Sequence, residues 1–493
     1  MVAEDFSSTP CPLSKESHHE KVLLQTGDAH GVCDEDFTSP AWQLVSASFK
    51  TPSLDALEDS PEAKQKYFKK CVPLYTAAVN GHWEAANRIM NEDDTLLHAS
   101  ITKGWQTVLH VAAGAKHVHF VKELLKLLDE HDLELQDQKG NTAFYHAVAA
   151  GTIPVAKILM QKNPRLLEIR GGQGLSPLYY AALFGHDKMA SYLYPKLIEL
   201  VNEEERAGIF FSCINNGLYE LALKMLKEYP ALAVVRNANS ETALHLLAQK
   251  PSAFSIKTSR ILKNFLYSCT NKRNLTTTPC YQLLKCLWEK VLWQNDSTLI
   301  DVIRRPSNVL FIATKLGNFK FVAELIGSYP DLIWETDESN QSLFHIAVAY
   351  HQASIFSQVQ KLGLNKNIVL SFIDDKNNNI LHLAAKLAPP NQLNTGTRST
   401  IQMKRDLSWF KEVKKFVPPS YQEMKNSEGK TPKDIFIEEH KMFIGKRSVV
   451  SIPMHKASAM EALNQAQPPP GSNIYNPKLQ KNIDMFCERG LAQ

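Results

Sequence analysis

No stretch of this chain approaches the roughly 18–20 consecutive apolar residues that a membrane-spanning helix needs. Its start, MVAEDFSSTP, has acids early and no apolar run behind basic residues, so it does not read as a secretory signal. The sequons at Asn274, Asn295 and Asn340 are therefore expected to be silent, and a cytoplasmic setting is the expectation. Eight cysteines, at 11, 33, 71, 213, 269, 280, 286 and 487, include no CxxC pair, which argues against a disulfide framework or a zinc ribbon. Charge of one sign is also scarce. With 55 Lys and Arg against 51 Asp and Glu, the net charge of +4 makes no case for nucleic acid as a partner. Basic pairs such as Lys272–Arg273, Arg304–Arg305, Lys414–Lys415 and Lys446–Arg447 are short and scattered, as on a solvated face.

What the chain does have is repetition. One phrase recurs as VPLYTAAVNG (72–81), TVLHVAAGAK (107–116), TAFYHAVAAG (142–151), SPLYYAALFG (176–185), TALHLLAQK (242–250), NVLFIATKLG (308–317), SLFHIAVAYH (342–351) and NILHLAAK (379–386). The large apolar third residue serves as a ruler: Leu74, Leu109, Phe144, Leu178, Leu244, Leu310, Phe344 and Leu381. Its first steps are 35, 35 and 34, and the 66 from Leu178 to Leu244 is two units of 33. A weaker copy fills that gap, with Phe210 placed seven residues before Gly217. A fixed period of this size means stacked repeats.

Each phrase is also sound local chemistry. Thr, Ser or Asn in the first place caps a helix N-terminus with a side-chain oxygen. Pro in the second place (Pro73, Pro177, Pro432) suits the first turn, which needs no amide donor. Small Ala residues let one short helix lie close to its neighbour, and Gly ends it in the left-handed conformation. A second apolar-periodic helix follows, as in HFVKELLKLL (119–128) and FVAELIGSYP (321–330), and then a polar turn such as DQKGN (137–141), RNANS (236–240), TDESN (336–340) or DDKNN (374–378). A single helix pair cannot bury its own apolar face, so neighbours must stack. The expected fold is an all-α repeat solenoid of helix-turn-helix units joined by hairpin-like loops.

The expected organisation runs in five parts. Residues 1–66 are a disordered lead-in rich in Ser, Thr, Pro, Asp and Glu, and 67–250 form the first block of repeats. Residues 251–306 break the period. They contain an amphipathic helix, CYQLLKCLWEKVLW (280–293), and read equally as a degenerate repeat or as a hinge. Residues 307–440 form the second block, interrupted by a Pro/Asn/Thr-rich loop at 387–408 and closed by a capping helix after GKTP (429–432). Residues 441–493 are a polar, mostly disordered tail, with room for a short helix near Met454–Gln465.

These phrases resemble the ankyrin repeat, whose TPLHxAA centre is echoed by TVLHVAA, TALHLLA and NILHLAA. More narrowly, PLYTAAVNGHWEAA, YPALAVVRNANSETALHLLA, NVLFIATKLGNFKFVAELI and WFKEVKKFVPPSYQEMKNSEGKTPKDIF are similar to plant ankyrin proteins of the accelerated-cell-death and salt-tolerance type, over about residues 67–440. That resemblance implies protein–protein contact in defence, cell-death or stress signalling. Such relatives continue into a membrane domain of several apolar helices. Here KMFIGKRSVVSIPMHKAS follows His440 instead, as in a truncated or spliced form or a soluble branch. Membrane contact is then expected only through relatives or partners, at the cytoplasmic face of the plasma membrane.

Chemical motifs do not survive inspection. GKT (429–431) lacks the Gly a phosphate loop requires at the place of Met424, and DDKNNN (374–379) lacks the central Gly and closing Glu of a calcium loop. His110, His117 and His119 form one local cluster, and His18, His19, His30, Cys11 and Cys33 another. However, His110, His245, His345 and His382 share one repeat place, as structural hydrogen-bonding residues would. No enzyme, metal or cofactor is expected. Recognition is expected at the loop tips, with Gln138, Lys139, Asn141, Gln173, Asn237, Asn239, Asp337, Glu338, Asp375 and Lys376 as the contact set. Trp83 and Trp105 stand as either contact or packing residues. The reading is a protein-binding adaptor. The alternative is a soluble regulatory form that associates with membrane-anchored relatives.

Overall fold

In the computed structural model, the described residues are 50–254, 278–388 and 399–441. Helices pair along the chain, most first helices being short and most second helices burying one apolar face. The first five pairs are Val72–Asn80 with Trp83–Glu92, Val108–Gly114 with Val118–Leu124, Ala143–Ala149 with Ile153–Lys162, Pro177–Leu183 with Asp187–Leu197, and Glu203–Asn215 with Tyr219–Glu228. Then follow Ala243–Ala248 with Pro279–Leu292, Val309–Lys315 with Phe319–Ser328, Leu343–Ala349 with Ala353–Phe356, and Ile380–Ala384 with Ser399–Lys414. The helix Pro432–Glu439 closes the stack. First helices pack on first helices and second on second, so one apolar seam runs through every unit.

The ruler residues lie in that seam. Leu74, Phe144, Leu178, Phe210, Leu244 and Leu310 are completely buried, and Leu109, Phe344 and Leu381 are buried nearly as deeply. Burying a Leu or Phe side chain contributes about 1.5–3 kcal/mol, and each buried Ala beside it keeps the helix spacing small. No strand occurs among the described residues. The loops contribute only isolated bridges, Ser53 with Ala99, Gln136 with Thr142 and Thr336 with Ser342.

Two expectations change and one is refined. The lead-in is not unstructured throughout, because Ser60 caps Pro61–Lys66 by accepting from the Ala63 amide, and Ala56 and Ala63 are buried against the first unit. Without them the open end of the stack would stay wet. Pro73 stands in the first turn of Val72–Asn80, as expected, but that helix continues an earlier one. The helical run starts at Pro61, and a π-helical turn over Tyr67–Cys71 accommodates the ring and missing amide of Pro73. The stretch 387–408 is partly helical: Ser399–Lys414 is the second helix of its unit, with Gln402, Asp406 and Phe410 buried.

Within 251–306, the described residues include one long helix that lies among the second helices. Pro279–Leu292 packs between Tyr219–Glu228 and Phe319–Ser328, in the row of second helices, and Leu283, Leu284, Leu287, Trp288 and Val291 are buried there. It belongs to the unit begun by Ala243–Ala248, and residues 255–277 between them lie outside the described part. The tail from 442, the expected helix at Met454–Gln465 and the His18/His19/His30 cluster lie outside it too.

Candidate interaction surface

The loops are built by one device used five times. An Asp or Asn side-chain oxygen accepts from the amides two and four residues on. Asp137 receives Lys139 and Asn141 at 2.9 and 2.8 Å, and Asn237 receives Asn239 and Glu241 at 2.9 Å each. Asp337, Asp374 and Asn426 repeat the pattern. The fourth residue of each turn has positive φ: Gly140, Ser240, Asn340, Asn377 and Gly429. Turn-forming Asx residues suit this geometry because the short side chain replaces a backbone acceptor.

The histidines complete the frame. His110 Nδ1 accepts from the Thr107 amide at 3.2 Å, so its proton resides on Nε2, which donates to the Asn141 carbonyl of the next unit at 3.1 Å. His245 repeats this with Thr242 and Ser307, and His382 with Asn379 and Lys430. Burial holds the ring of His345 in its neutral form, with the pKa pulled down to about 4. His110, His245 and His382 shift in the same direction for the same reason. His117 is also engaged, with Nε2 on the Val79 carbonyl at 2.7 Å. Among the described residues no group of three or more His, Cys, Asp or Glu could hold a metal ion.

At the other end of five of the first helices, a side chain from the next unit donates to carbonyls the helix leaves open. His117 and His186 do this for Val79 and Ala149, Asn216 for Ala182 and Leu183, Asn318 for Leu247 and Ala248, and Gln352 for Lys315. Gly151 sits directly under one of these donors, and a Cβ there would meet His186 Nδ1 at 2.8 Å. These contacts join neighbouring units by polar bonds where the apolar seam ends.

Two adjoining hollows open between the loops and the first helices of the first four units, sharing Gly104 and Gln106. Tyr67, Val72 and Tyr75 line one, and Tyr145, Tyr180 and Phe184 the other. Tyr180 stacks edge-on against Tyr145 with ring centroids 4.9 Å apart and lies 5.9 Å from Phe184, so the aromatic ledge is pre-arranged. Asp137 is the one carboxylate in the lining, and it is buried. Burial opposes its charge, yet the His146 ring at 2.9 Å and the Asn141 amide outweigh that and hold its pKa below the ordinary value. Lys139 is the exposed charge of the lining.

Set against this surface, the ten expected contact residues divide. Lys139, Gln173, Asn239, Glu338, Asp375 and Lys376 are exposed, and Gln138 is half-buried. Asn141 is mostly buried yet lines the groove, with its amide on Asp137 and its Oδ1 accepting from Gly172 at 2.9 Å, so its side chain holds two loops together. Asn237 and Asp337 are half-buried and spend their side-chain oxygens on their own turns. Only Gln138 and Lys139 of the exposed or half-exposed set line the groove. Trp83 packs edge-on against buried Phe120 at 5.3 Å, and Trp105 is a half-buried loop residue with positive φ.

The repeats, the shared seam and the repeated Thr/Ser/Asn–His frame agree with a family match: the pattern described as Ankyrin repeats (3 copies) covers residues 74–165 and 109–204. Over residues 74–204 the chain carries ankyrin repeats, within an all-α repeat solenoid. Among similar proteins, Interferon antagonist OPG039 of Monkeypox virus is 29% identical over 172 residues, which is 33% of this chain and 58% of that protein. Interferon antagonist OPG040 of Vaccinia virus (strain Western Reserve) is 30% identical over 173 residues, again 33% and 58%. Protein ACCELERATED CELL DEATH 6 of Arabidopsis thaliana is 27% identical over 197 residues, 35% of this chain and 29% of that protein. The chain thus spans little more than half the length of the viral relatives it matches. Among the described residues of the ankyrin array, no helix is long and apolar enough to cross a membrane.

Sequence reasoning missed the aromatic ledge and Trp293, which is 85% exposed beside Pro230 and Val234. A signal for the ledge was present. In SPLYYAALFG, Tyr180 and Phe184 are four apart and off the face of Leu178, so a helix that buries Leu178 must present them elsewhere.

Proposed function

We propose that this chain works by binding, as an adaptor whose principal contact face is the groove over its first four units. The supporting observation is the accessible pair Tyr180 and Phe184, braced by the buried ring of Tyr145, while the polar groups around them are engaged within the fold. Pre-arranged aromatics with satisfied neighbours are what an interface hot spot requires. No catalytic turnover is part of this reading.

The likeness to Protein ACCELERATED CELL DEATH 6 supports a place in plant defence or stress signalling, with protein partners. It also supports the second reading, a regulatory form that associates with membrane-anchored ankyrin relatives. Tagged full-length chain is to be compared with the double variant Tyr180→Ser, Phe184→Ser by quantitative co-purification from the native cells. The adaptor reading expects specific partners to drop out while the melting curve is retained. Unchanged partner recovery overturns it. Recovery of membrane-anchored ankyrin proteins in the membrane fraction selects the second reading.

A further inference from the structure

We propose that the closing unit of the array is held shut by a proton-dependent latch, Asp406 with His440, and opens as pH rises above neutral.

Asp406 lies on Ser399–Lys414 and is completely buried, as is His440, which directly follows the closing helix Pro432–Glu439. A carboxylate taken out of water destabilises the fold unless donors match it. Asp406 Oδ1 accepts from Gln402 Nε2 at 2.8 Å, and Oδ2 lies 3.1 Å from His440 Nε2. The other nitrogen of that ring, Nδ1, lies 2.9 Å from the Phe436 carbonyl. A carbonyl oxygen only accepts, so Nδ1 carries a hydrogen. A second hydrogen is then required between Nε2 and Oδ2, because without it two lone pairs would face each other in a dry site. The folded pair therefore holds two protons, whichever of the two atoms keeps the second.

The surrounding elements supply no substitute. His351, just beyond Leu343–Ala349 of the preceding unit, places Nδ1 3.8 Å from Asp406 Oδ1, and burial keeps that ring below its ordinary pKa, toward the neutral form. His382, on the neighbouring Ile380–Ala384, spends its nitrogens on the Asn379 amide and the Lys430 carbonyl. On the closing helix, Glu438 pairs with Lys430 and Asp434 with Thr431. Lys404, Arg405, Glu439 and Lys441 are exposed.

The pair also grips the apolar contact that seats the closing helix. The His440 ring stacks on Phe436 with centroids 4.1 Å apart, and Phe436 packs on Phe410 at 5.2 Å. Release of the ring thus loosens the seam at the end of the stack, where the last helix has a neighbour on one side.

Proton counting gives the sign. Above about pH 6.5 an unfolded Asp is ionised and an unfolded His is neutral, so together they hold one proton. Closing takes up one more, so the closed state weakens as pH rises, with up to about tenfold more opening per pH unit. The buried neutral rings of His110, His245, His345 and His382 act in the opposite direction, in acid.

The test is hydrogen exchange of the full chain between about pH 7 and 9, corrected for the chemical exchange rate, with Val72–Asn80 as the internal reference. Opening of Pro432–Glu439 is expected to rise by up to about tenfold per pH unit while the reference stays level. Asp406→Asn offers an N–H to His440 Nε2 and keeps an oxygen for Gln402, so a neutral ring suffices and the profile is expected to be level. His440→Gln donates to the carboxylate without titrating and is expected to be level too, which covers the case of the first variant failing to fold. A wild-type profile that is level or falls with pH overturns the latch. A rise as steep as wild type in either variant overturns it as well.

Discussion

The first five units and the later four obey the same rules with different continuity. From Val72 to Glu228, each second helix follows its first within a few residues. In the unit begun by Ala243–Ala248 the described second helix is Pro279–Leu292, and in the unit begun by Ile380–Ala384 it is Ser399–Lys414, each with a longer connecting stretch of sequence before it. The stack absorbs both excursions because a repeat is defined by which surfaces it seals, and contiguous sequence is one way among others to deliver them. Both regions carry an Asp–His pair, Asp137 with His146 in the earlier one, but that of the later region is completely buried. Asp406 and His440 are completely buried 3.1 Å apart, with Gln402 donating to the other carboxylate oxygen, and they tie the closing helix to its neighbour.

The strongest way to break the comparison is a charge in each seam. Leu109→Asp and Leu381→Asp each bury an unpaired carboxylate and are expected to cost more than about 4 kcal/mol. Hydrogen exchange should show the first unfolding the early units, with the second confined to the closing ones. Equal loss everywhere would mean that the two regions fold as one.

Trp288→Ala is expected to cost about 3–5 kcal/mol in denaturant titration if Pro279–Leu292 is the second helix of a repeat. The exposed neighbour change Trp293→Ala should stay within about 0.5 kcal/mol. Similar small values for both would return that helix to the status of a loose insert.

Acid tests the shared histidine frame. The buried histidines have folded pKa values below their unfolded value, so the unfolded chain binds more protons in that window. Their contribution to stability is full above about pH 6.5 and should fall as pH drops toward about 4, the value of His345. In His345→Gln the slope of melting temperature against pH over that window should be shallower.

The smallest expected effects concern the left-handed position. Gly151→Ala forces a Cβ onto the His186 ring at positive φ and should cost about 1–2 kcal/mol. Lys116 occupies the same place with φ of 69°, and Lys116→Gly should stabilise by up to about 1 kcal/mol in thermal melts.

Much of the frame was legible because it is local. Capping residues, Ala pairs, the closing Gly and the ruler residues act within one turn or one helix face, where spacing alone decides geometry. The turn residues were legible as turn formers, and some of them are already engaged within the fold. The same short polar side chain that ends a helix pair, as in Asn141 or Asp337, is consumed in doing so. The groove was not legible. Tyr67, Tyr145 and Phe184 lie on three different units, and their meeting depends on how closely the first helices stack.

The amino-acid order alone determined that short helices recur with a period near 34, which face of each is apolar and where each ends, because those depend on neighbours three to eight residues away. Tertiary packing decided the rest: that Pro279–Leu292 completes a unit begun some thirty residues earlier, that Ser399–Lys414 is helix, and that aromatic rings from separate units form one ledge. Those outcomes depend on which surface is left unsealed when the stack closes, and that is a property of the assembled units.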